Sequence, residues 1–221
     1  GRLPIQYACQ KWHKNIIELL VKNGAKINVP DGNGRLPLHY ACERGDLDIV
    51  DVLLENGVKL DVSDANGQLP LHYACEQGYF NIVDVLLKNG ARVDVPDGDG
   101  RLPLHCACEH GHLNMVKLLA TNGAKLDNPD RDGRLPMHYA CKNCSKGYNI
   151  LLFLRKRGEK VDVPDENGRL PIHYGCERGN LDIVELLTIY GAKLDVSDKN
   201  GQLPMHYACQ NSLKGYNIIL F

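Results

Sequence analysis

The sequence is a repeat of 33 residues, and this period constrains its fold more than any other feature. The phrase Gly-Arg/Gln-Leu-Pro begins at seven places, which are Gly1, Gly34, Gly67, Gly100, Gly133, Gly168 and Gly201. The repeats therefore span 1–33, 34–66, 67–99, 100–132, 133–167, 168–200 and, as a partial copy, 201–221. A unit this short cannot bury an apolar core alone, so its copies must stack. We expect one repeat array over all 221 residues.

One complete unit predicts two short helices and an extended arm. Pro37 stands where a first helical turn tolerates a missing N–H, and an apolar stripe at helical spacing follows over 38–42. Gly45 can end this helix, and a second apolar stripe runs over 47–54. Residues 59–62 alternate polar and apolar before a turn rich in Asp and Gly. The predicted fold class is all-α, with hairpin-like arms.

These residues resemble the ankyrin repeat. The second unit carries that family's Pro-Leu-His start, small pair, Gly between helices, Leu-Leu pair and Gly before an acid. The matching residues are Pro37, Leu38, His39, Ala41, Cys42, Gly45, Leu53, Leu54, Gly57 and Asp61. The match recurs through the whole chain. It implies a gently curved solenoid whose arms and first helices line a concave face that binds other proteins.

The resemblance also implies a role for a histidine that six units share. In the family this side chain forms hydrogen bonds within and between units, which explains the column better than six metal sites would. Its copies are His39, His72, His105, His138, His173 and His206.

One departure from the family is the residue before the proline. The family has Thr there, and this chain has Leu in every unit: Leu3, Leu36, Leu69, Leu102, Leu135, Leu170 and Leu203. Loss of a Thr cap costs about 1 kcal/mol. We expect the Leu to pack between units, where burial contributes about 1.5–3 kcal/mol.

Seven of the nine cysteines occupy one column of the repeat: Cys9, Cys42, Cys75, Cys108, Cys141, Cys176 and Cys209. Stacked helices lie about 8–10 Å apart, whereas a disulfide needs Cα atoms within about 7 Å. These cysteines are expected to be small buried thiols in a reducing, cytoplasmic compartment.

Three units depart from the repeat. Trp12 occupies the position of the inter-helix Gly, and because Trp does not readily adopt a left-handed backbone, this turn is expected to differ. Either a modified edge unit or packing on a preceding segment would account for it. The fifth and seventh units carry enlarged loops at Cys144–Gly147 and Ser212–Gly215. A common duplication explains these loops more simply than a binding edge does.

Composition and motifs argue against several functions. Lys plus Arg is 26 and Asp plus Glu is 27, a net charge of −1 that argues against nucleic-acid binding by positive potential. No apolar run reaches the roughly 18 residues of a membrane span, and the opening residues predict no signal peptide. No phosphate loop or nucleophile elbow occurs. We expect no enzyme activity, catalytic residue or cofactor.

We also expect no metal site. Cys106 and His110 share a helical face, but two ligands do not close a tetrahedral site. Cys141 and Cys144 form a CxxC without the strand context of redox motifs. The DGNG-like arms lack the twelfth-position Glu of a calcium loop.

The candidate binding residues lie outside the inward stripe of the first helix. A tyrosine column is expected to point away from the stack: Tyr40, Tyr73, Tyr139, Tyr174 and Tyr207. Tyr is favoured at recognition surfaces; alternatively, it shields the backbone between units. The variable positions that follow add Arg44, Gln77, His110 and Arg178. Arg35 and Arg101 add a basic edge on the arms, beside acids that would pair with them locally.

The sequence thus predicts a non-catalytic scaffold for another protein, monomeric or part of a longer chain, without nucleic acid or membrane insertion. One alternative is a recognition or regulatory segment of a larger protein, such as an enzyme, a channel or a pathogen effector. Another is an engineered repeat scaffold, although the irregular units argue against an idealised design.

Overall fold

The computed structural model describes residues 2–143, 146–211 and 218. Each repeat contributes a first helix that begins at its proline. These helices are α1 (Pro4–Gln10), α3 (Pro37–Arg44), α5 (Pro70–Gln77), α7 (Pro103–Glu109), α9 (Pro136–Lys142), α11 (Pro171–Glu177) and α13 (Pro204–Gln210). The second helices are α2 (Lys14–Lys22), α4 (Leu47–Glu55), α6 (Phe80–Lys88), α8 (Leu113–Thr121), α10 (Gly147–Lys156) and α12 (Leu181–Ile189). The described residues contain no β-strand, so the predicted all-α class is confirmed.

The leucine before the proline occupies the N-cap, and in five first helices a histidine does the capping. Leu36 is extended (φ −81°, ψ 163°). Its N–H donates to Nδ1 of His39 at 2.9 Å, and its carbonyl accepts the His39 amide at 3.1 Å. The Leu side chain is free to pack, and Leu36 and Leu69 are fully buried. The predicted burial is confirmed for the five inner copies: Leu36, Leu69, Leu102, Leu135 and Leu170. Leu3 and Leu203 are partly exposed.

The turn between helices requires a left-handed residue, which is why glycine recurs there. Gly45 has φ 80°, and a Cβ at this position would lie 2.5 Å from the ring of Tyr79. Trp12 has φ 59°, the one positive φ at a non-glycine among the described residues. The expectation that its turn differs is therefore wrong. The amide of His13 bonds the Ala8 carbonyl at 3.0 Å, as Asp46 bonds Ala41 in the second unit, so the surrounding hydrogen bonds hold the Trp in the common conformation.

The second helices form an outer layer with one buried face. In α4 the Asp46 side chain accepts the amide of Ile49 at 3.1 Å and so caps the N-terminus. Ile49, Val50 and Leu53 are buried against the stack.

Within each compact unit, an arm is a tight turn that bonds to the arm of the next repeat. The Asp31 amide donates to the Arg35 carbonyl at 3.0 Å, and Gly34 closes the turn onto Asp31 at 2.9 Å. The carbonyl of Asn33 then accepts the amide of Ala65 in the following arm at 2.8 Å. The predicted turn chemistry thus also joins neighbouring repeats.

The chain divides into two compact units. The N-terminal unit comprises Gly1–Pro103 with Thr121–Gly123, and the C-terminal unit comprises Leu104–Ala120 with Ala124–Phe221. In the first, α1, α3 and α5 pack in order, with α2, α4 and α6 beside them. In the second, α9, α11 and α13 pack in order, with α10 and α12 beside them.

Most described cysteines lie in these cores, as expected. Burial raises the pKa of Cys9 and of Cys176 to about 12, so both thiols stay protonated. Cys209 differs because it is exposed on α13. Cys144 and the enlarged loop at Ser212–Gly215 lie outside the described residues. Across the described part of the chain, every helix is too short or too polar to span a bilayer.

Candidate functional site

The tyrosine column lies in the core of the repeats. Tyr40 is fully buried, and Tyr73, Tyr139, Tyr174 and Tyr207 are at most 9% exposed. The expectation that they point away from the stack is wrong. The first helix is enclosed by neighbouring first helices, by second helices and by arms, so consecutive residues from Pro37 to Cys42 are all buried. Tyr7, in the first repeat, differs in that its side chain is 52% exposed to solvent.

Each buried tyrosine holds a buried aspartate in the preceding arm. The hydroxyl of Tyr40 donates to Asp31 at 2.5 Å, and that carboxylate also accepts the amides of Asn33 and Arg35. Burial raises the pKa of Asp31, but these hydrogen bonds outweigh it and the net pKa is lowered. The same Tyr–Asp bond recurs at Tyr73–Asp64, Tyr139–Asp130, Tyr174–Asp165 and Tyr207–Asp198. The aspartates suggested as local charge partners are therefore structural anchors of the arms.

Two arm arginines, Arg35 and Arg169, pack between successive tyrosine rings. The guanidinium of Arg35 lies 5.3 Å from the Tyr40 ring centroid and 4.4 Å from that of Tyr73, and it pairs with Glu43 at 3.1 Å. Arg101 pairs with Asp97 at 3.2 Å. Arg35 and Arg101 are thus partly buried members of the frame. The expected pairing with an acid of the same arm is present at Arg101, whereas Arg35 pairs with Glu43 on the first helix.

Four histidines of the column each join their repeat to the next. In His39, Nδ1 accepts a backbone N–H, so the ring proton lies on Nε2, which donates to the Gln68 carbonyl at 3.2 Å. His72, His138 and His173 form the same pair of bonds. Burial lowers the pKa of all four rings, and that of His138 falls to about 4. The bonding that the resemblance implies is present at these four rings.

The first repeat performs the same connection with glutamine. Oε1 of Gln6 accepts the amide of Leu3, and its Nε2 donates to the carbonyls of Val29 and Arg35 at 3.1 and 2.9 Å. Gln6 is fully buried. An amide that cannot titrate therefore substitutes for the imidazole.

The residues that follow the buried stripe are the ones exposed to solvent. Arg44, Gln77, His110 and Arg178 are all exposed at the C-terminal ends of first helices or just beyond them. Arg44 lies over the exposed Trp12 ring, 5.4 Å from its centroid. Of the predicted binding residues, these four lie on the surface while the tyrosines do not.

No metal centre is formed among the residues that the structure describes, since none of their His, Cys, Asp and Glu side chains gather in threes. Cys106 is buried. Nδ1 of the exposed His110 ring lies 3.0 Å from the backbone carbonyl oxygen of Cys106.

A surface cavity of about 610 Å³ lies in the C-terminal unit, lined in part by Asp127, Leu135, Arg157 and Glu159. Burial, followed by the charge of Asp127, raises the pKa of Glu159. The acids and the base carry opposite charges, so the cavity does not favour one sign of ligand.

Removing one buried hydroxyl should measure the structural role of the tyrosines. Tyr139→Phe keeps the ring but deprives the Asp130 carboxylate of its 2.6 Å donor. We expect a loss of about 2 kcal/mol in the free energy of unfolding, typical of a hydrogen bond to a charged group. Urea denaturation checks this. Tyr148→Phe is the control, because Tyr148 is 40% exposed and its loss should be neutral. Equal stability of the two variants would contradict the anchoring role.

Comparison with known proteins agrees with this architecture. The family model described as "Ankyrin repeats (3 copies)" matches residues 5–97, 71–165 and 144–221. The structure is similar to the crystal structure of the human ASB11 ankyrin repeat domain, with a TM-score of 0.86 and 26% identity, covering 99% of this chain and 97% of that one. A search of curated proteins found no significant match. Ankyrin repeats are generally protein-interaction modules and are typically non-catalytic. Because the family model matches almost the whole length, the chain belongs to the ankyrin repeat family.

Proposed function

We propose that this chain is a non-catalytic module that binds another protein through the exposed ends of its first helices. The observation that carries the proposal is a contrast within the inner first helices. Residues 37–42 are buried and nearly invariant between repeats, whereas the positions that follow are exposed and differ, as Arg44, Gln77, His110 and Arg178 do. We call these exposed first-helix ends, at Arg44, Gln77, His110 and Arg178, the tips. Variable tips on a rigid frame suit recognition of a partner, because binding then orders few side chains.

The buried tyrosines support this surface without contacting the partner. They place the helix ends through their bonds to the arms, and Arg35 and Arg101 stiffen the same frame. Substituting a tyrosine would therefore change binding through the fold and could not identify the contact surface. The exposed positions are the appropriate ones to mutate.

The test compares tips with second helices. Each compact unit receives a paired tip variant, Arg44→Ala with Gln77→Ala and His110→Ala with Arg178→Ala. The control pair, Glu55→Ala with Lys156→Ala, lies on exposed positions of second helices. With a partner captured from the source cell, we expect at least one tip pair to weaken binding about tenfold, or 1.4 kcal/mol. The control pair should bind as the parent does, and all variants should unfold at the parent's midpoint. Loss of binding in the control pair alone would overturn the proposal.

We also propose a reducing, cytoplasmic location. Support comes from the buried thiols, such as Cys42, Cys108 and Cys141, which are free and occupy core positions. Microscopy of the tagged full-length product would test this location, and secretion of that product would overturn it.

A further inference from the structure

The fifth repeat reverses the charge at one position of the first helix. Directly after the buried stripe, the second, third, fourth and sixth repeats carry an acid, and the fifth carries a lysine. The residues in this column are Gln10, Glu43, Glu76, Glu109, Lys142, Glu177 and Gln210. Lys142 is half-buried at the end of α9.

In two other repeats the acid completes a defined cluster. Arg169 lies 4.0 Å from the centroid of the Tyr174 ring and 4.4 Å from that of Tyr207, and it pairs with Glu177 at 2.5 Å. Arg35 pairs with Glu43 between Tyr40 and Tyr73 in the same way. Each cluster therefore contains a cation, two tyrosine rings and a carboxylate supplied by the first helix.

The fifth repeat has the rings and the cation without that carboxylate. Arg134 donates from Nε to the Tyr174 hydroxyl at 3.2 Å and pairs with Asp132 on its own arm at 2.8 Å. Lys142 Nζ lies 4.9 Å from the Tyr139 ring centroid and 5.1 Å from that of Tyr174. Its ammonium makes no hydrogen bond and no ion pair with any described residue. Two cations thus contact these tyrosines, whereas the second and sixth repeats place one cation and one anion there.

The electrostatics favour an added anion. Burial, and after it the charge of Arg134, lowers the pKa of Lys142, although the charges of Glu109 and Glu177 act in the opposite direction. A carboxylate placed between Lys142 and Arg134 would offset both effects.

We propose that Lys142 and Arg134 form a site for a carboxylate side chain in an acidic segment of a partner protein. The inference rests on the proposed function and names the chemistry of one contact. A carboxylate is favoured because the equivalent place in the second and sixth repeats already holds one, from Glu43 and Glu177. The rings of Tyr139 and Tyr174 hold the Lys142 ammonium through cation–π contacts, and its N–H groups stay available to the partner's carboxylate.

The test uses a fluorescein-labelled hexaglutamate peptide at low ionic strength, with anisotropy as the readout. Lys142→Glu supplies the missing carboxylate from within the chain, so it should weaken peptide binding at least tenfold. It should also raise the urea midpoint of unfolding, which separates it from a damaged fold. Lys193→Glu makes the same charge change at an exposed lysine of the same unit, and it should change binding less than twofold.

Three results would overturn the site. Equal weakening by Lys142→Glu and Lys193→Glu would mean attraction to net charge alone. No measurable binding to the parent would mean no site, and stronger binding of a phosphoserine peptide than of hexaglutamate would mean a phosphate site instead. Testing Lys142→Glu beside the tip variants, with the captured partner, separates this contact from the proposed binding surface. A partner that depends on Arg178 but tolerates Lys142→Glu would support the proposed surface and overturn this contact.

Discussion

Acidification from about pH 7 to about pH 4 should unfold this chain through its buried histidines. The His138 ring has a folded pKa of about 4, against 6.5 for the unconstrained side chain. The unfolded state therefore binds the proton more tightly. Stability from this group is complete above pH 6.5 and is lost as the pH falls towards 4. His138 alone contributes about 3 kcal/mol at neutral pH by this linkage.

Stability falls on acidification because protonation of these histidines breaks a hydrogen bond that caps a helix. Protonation places a second proton on the histidine ring, at the Nδ1 that accepts the Leu135 amide at 2.9 Å, and so breaks the cap of α9. His39, His72 and His173 are shifted in the same direction. The carboxyls of Asp31 and Asp198 have lowered pKa values, so their contribution is lost only at still lower pH. Urea midpoints measured across this range should fall steadily.

The first repeat supplies the matched control. Gln6 makes both bonds of the histidine column without titrating. His138→Gln should therefore unfold near the parent's midpoint at neutral pH and lose less stability on acidification, by about 3 kcal/mol at pH 4. An identical acid dependence in parent and variant would show that other groups drive the transition.

Among glycine-to-alanine substitutions at described residues of the fifth repeat, Gly147→Ala should destabilise the fold most. Gly147 begins α10 after the enlarged loop, and a Cβ there would lie 2.0 Å from the Ala140 carbonyl oxygen. The same Cβ would lie 3.0 Å from Ile183 Cδ1. Because a backbone oxygen cannot move aside cheaply, we expect a loss of about 3 kcal/mol in the free energy of unfolding.

Gly32→Ala is the control for this substitution. A Cβ added at Gly32 would have no atom within 4 Å, and the backbone there carries no left-handed constraint. The added methyl should therefore be neutral or slightly stabilising. Thermal melts of both variants give the comparison. A Gly147→Ala variant as stable as the Gly32→Ala variant would contradict the close packing of α10 on α9.

The helices and several columns could be predicted because each depends on residues within one repeat. The prolines start the first helices, and the Leu36 and Cys42 columns are buried as expected apart from Leu3, Leu203 and Cys209. The tyrosines could not be placed correctly, because a helix-periodicity argument assumes one buried face. Residues on every side of α3 are covered, and only its C-terminal end is exposed.

The other errors also come from contacts between repeats. Asp31 is a charged side chain that sequence alone would leave in solvent, yet a tyrosine nine residues later holds it in the core. Trp12 adopts the left-handed turn because the hydrogen bonds around it outweigh its local preference. Gly147 had a signal that could have been used, since the Lys-Gly-Tyr-Asn-Ile run recurs in the seventh repeat.

Hydrogen–deuterium exchange of the whole chain, with and without a captured partner, tests the central claim most directly. We expect slowed exchange at the first-helix ends, around Arg44, Gln77, His110 or Arg178, with the second helices unchanged. Slowed exchange confined to the outer helices, such as Leu47–Glu55 or Leu181–Ile189, would contradict it.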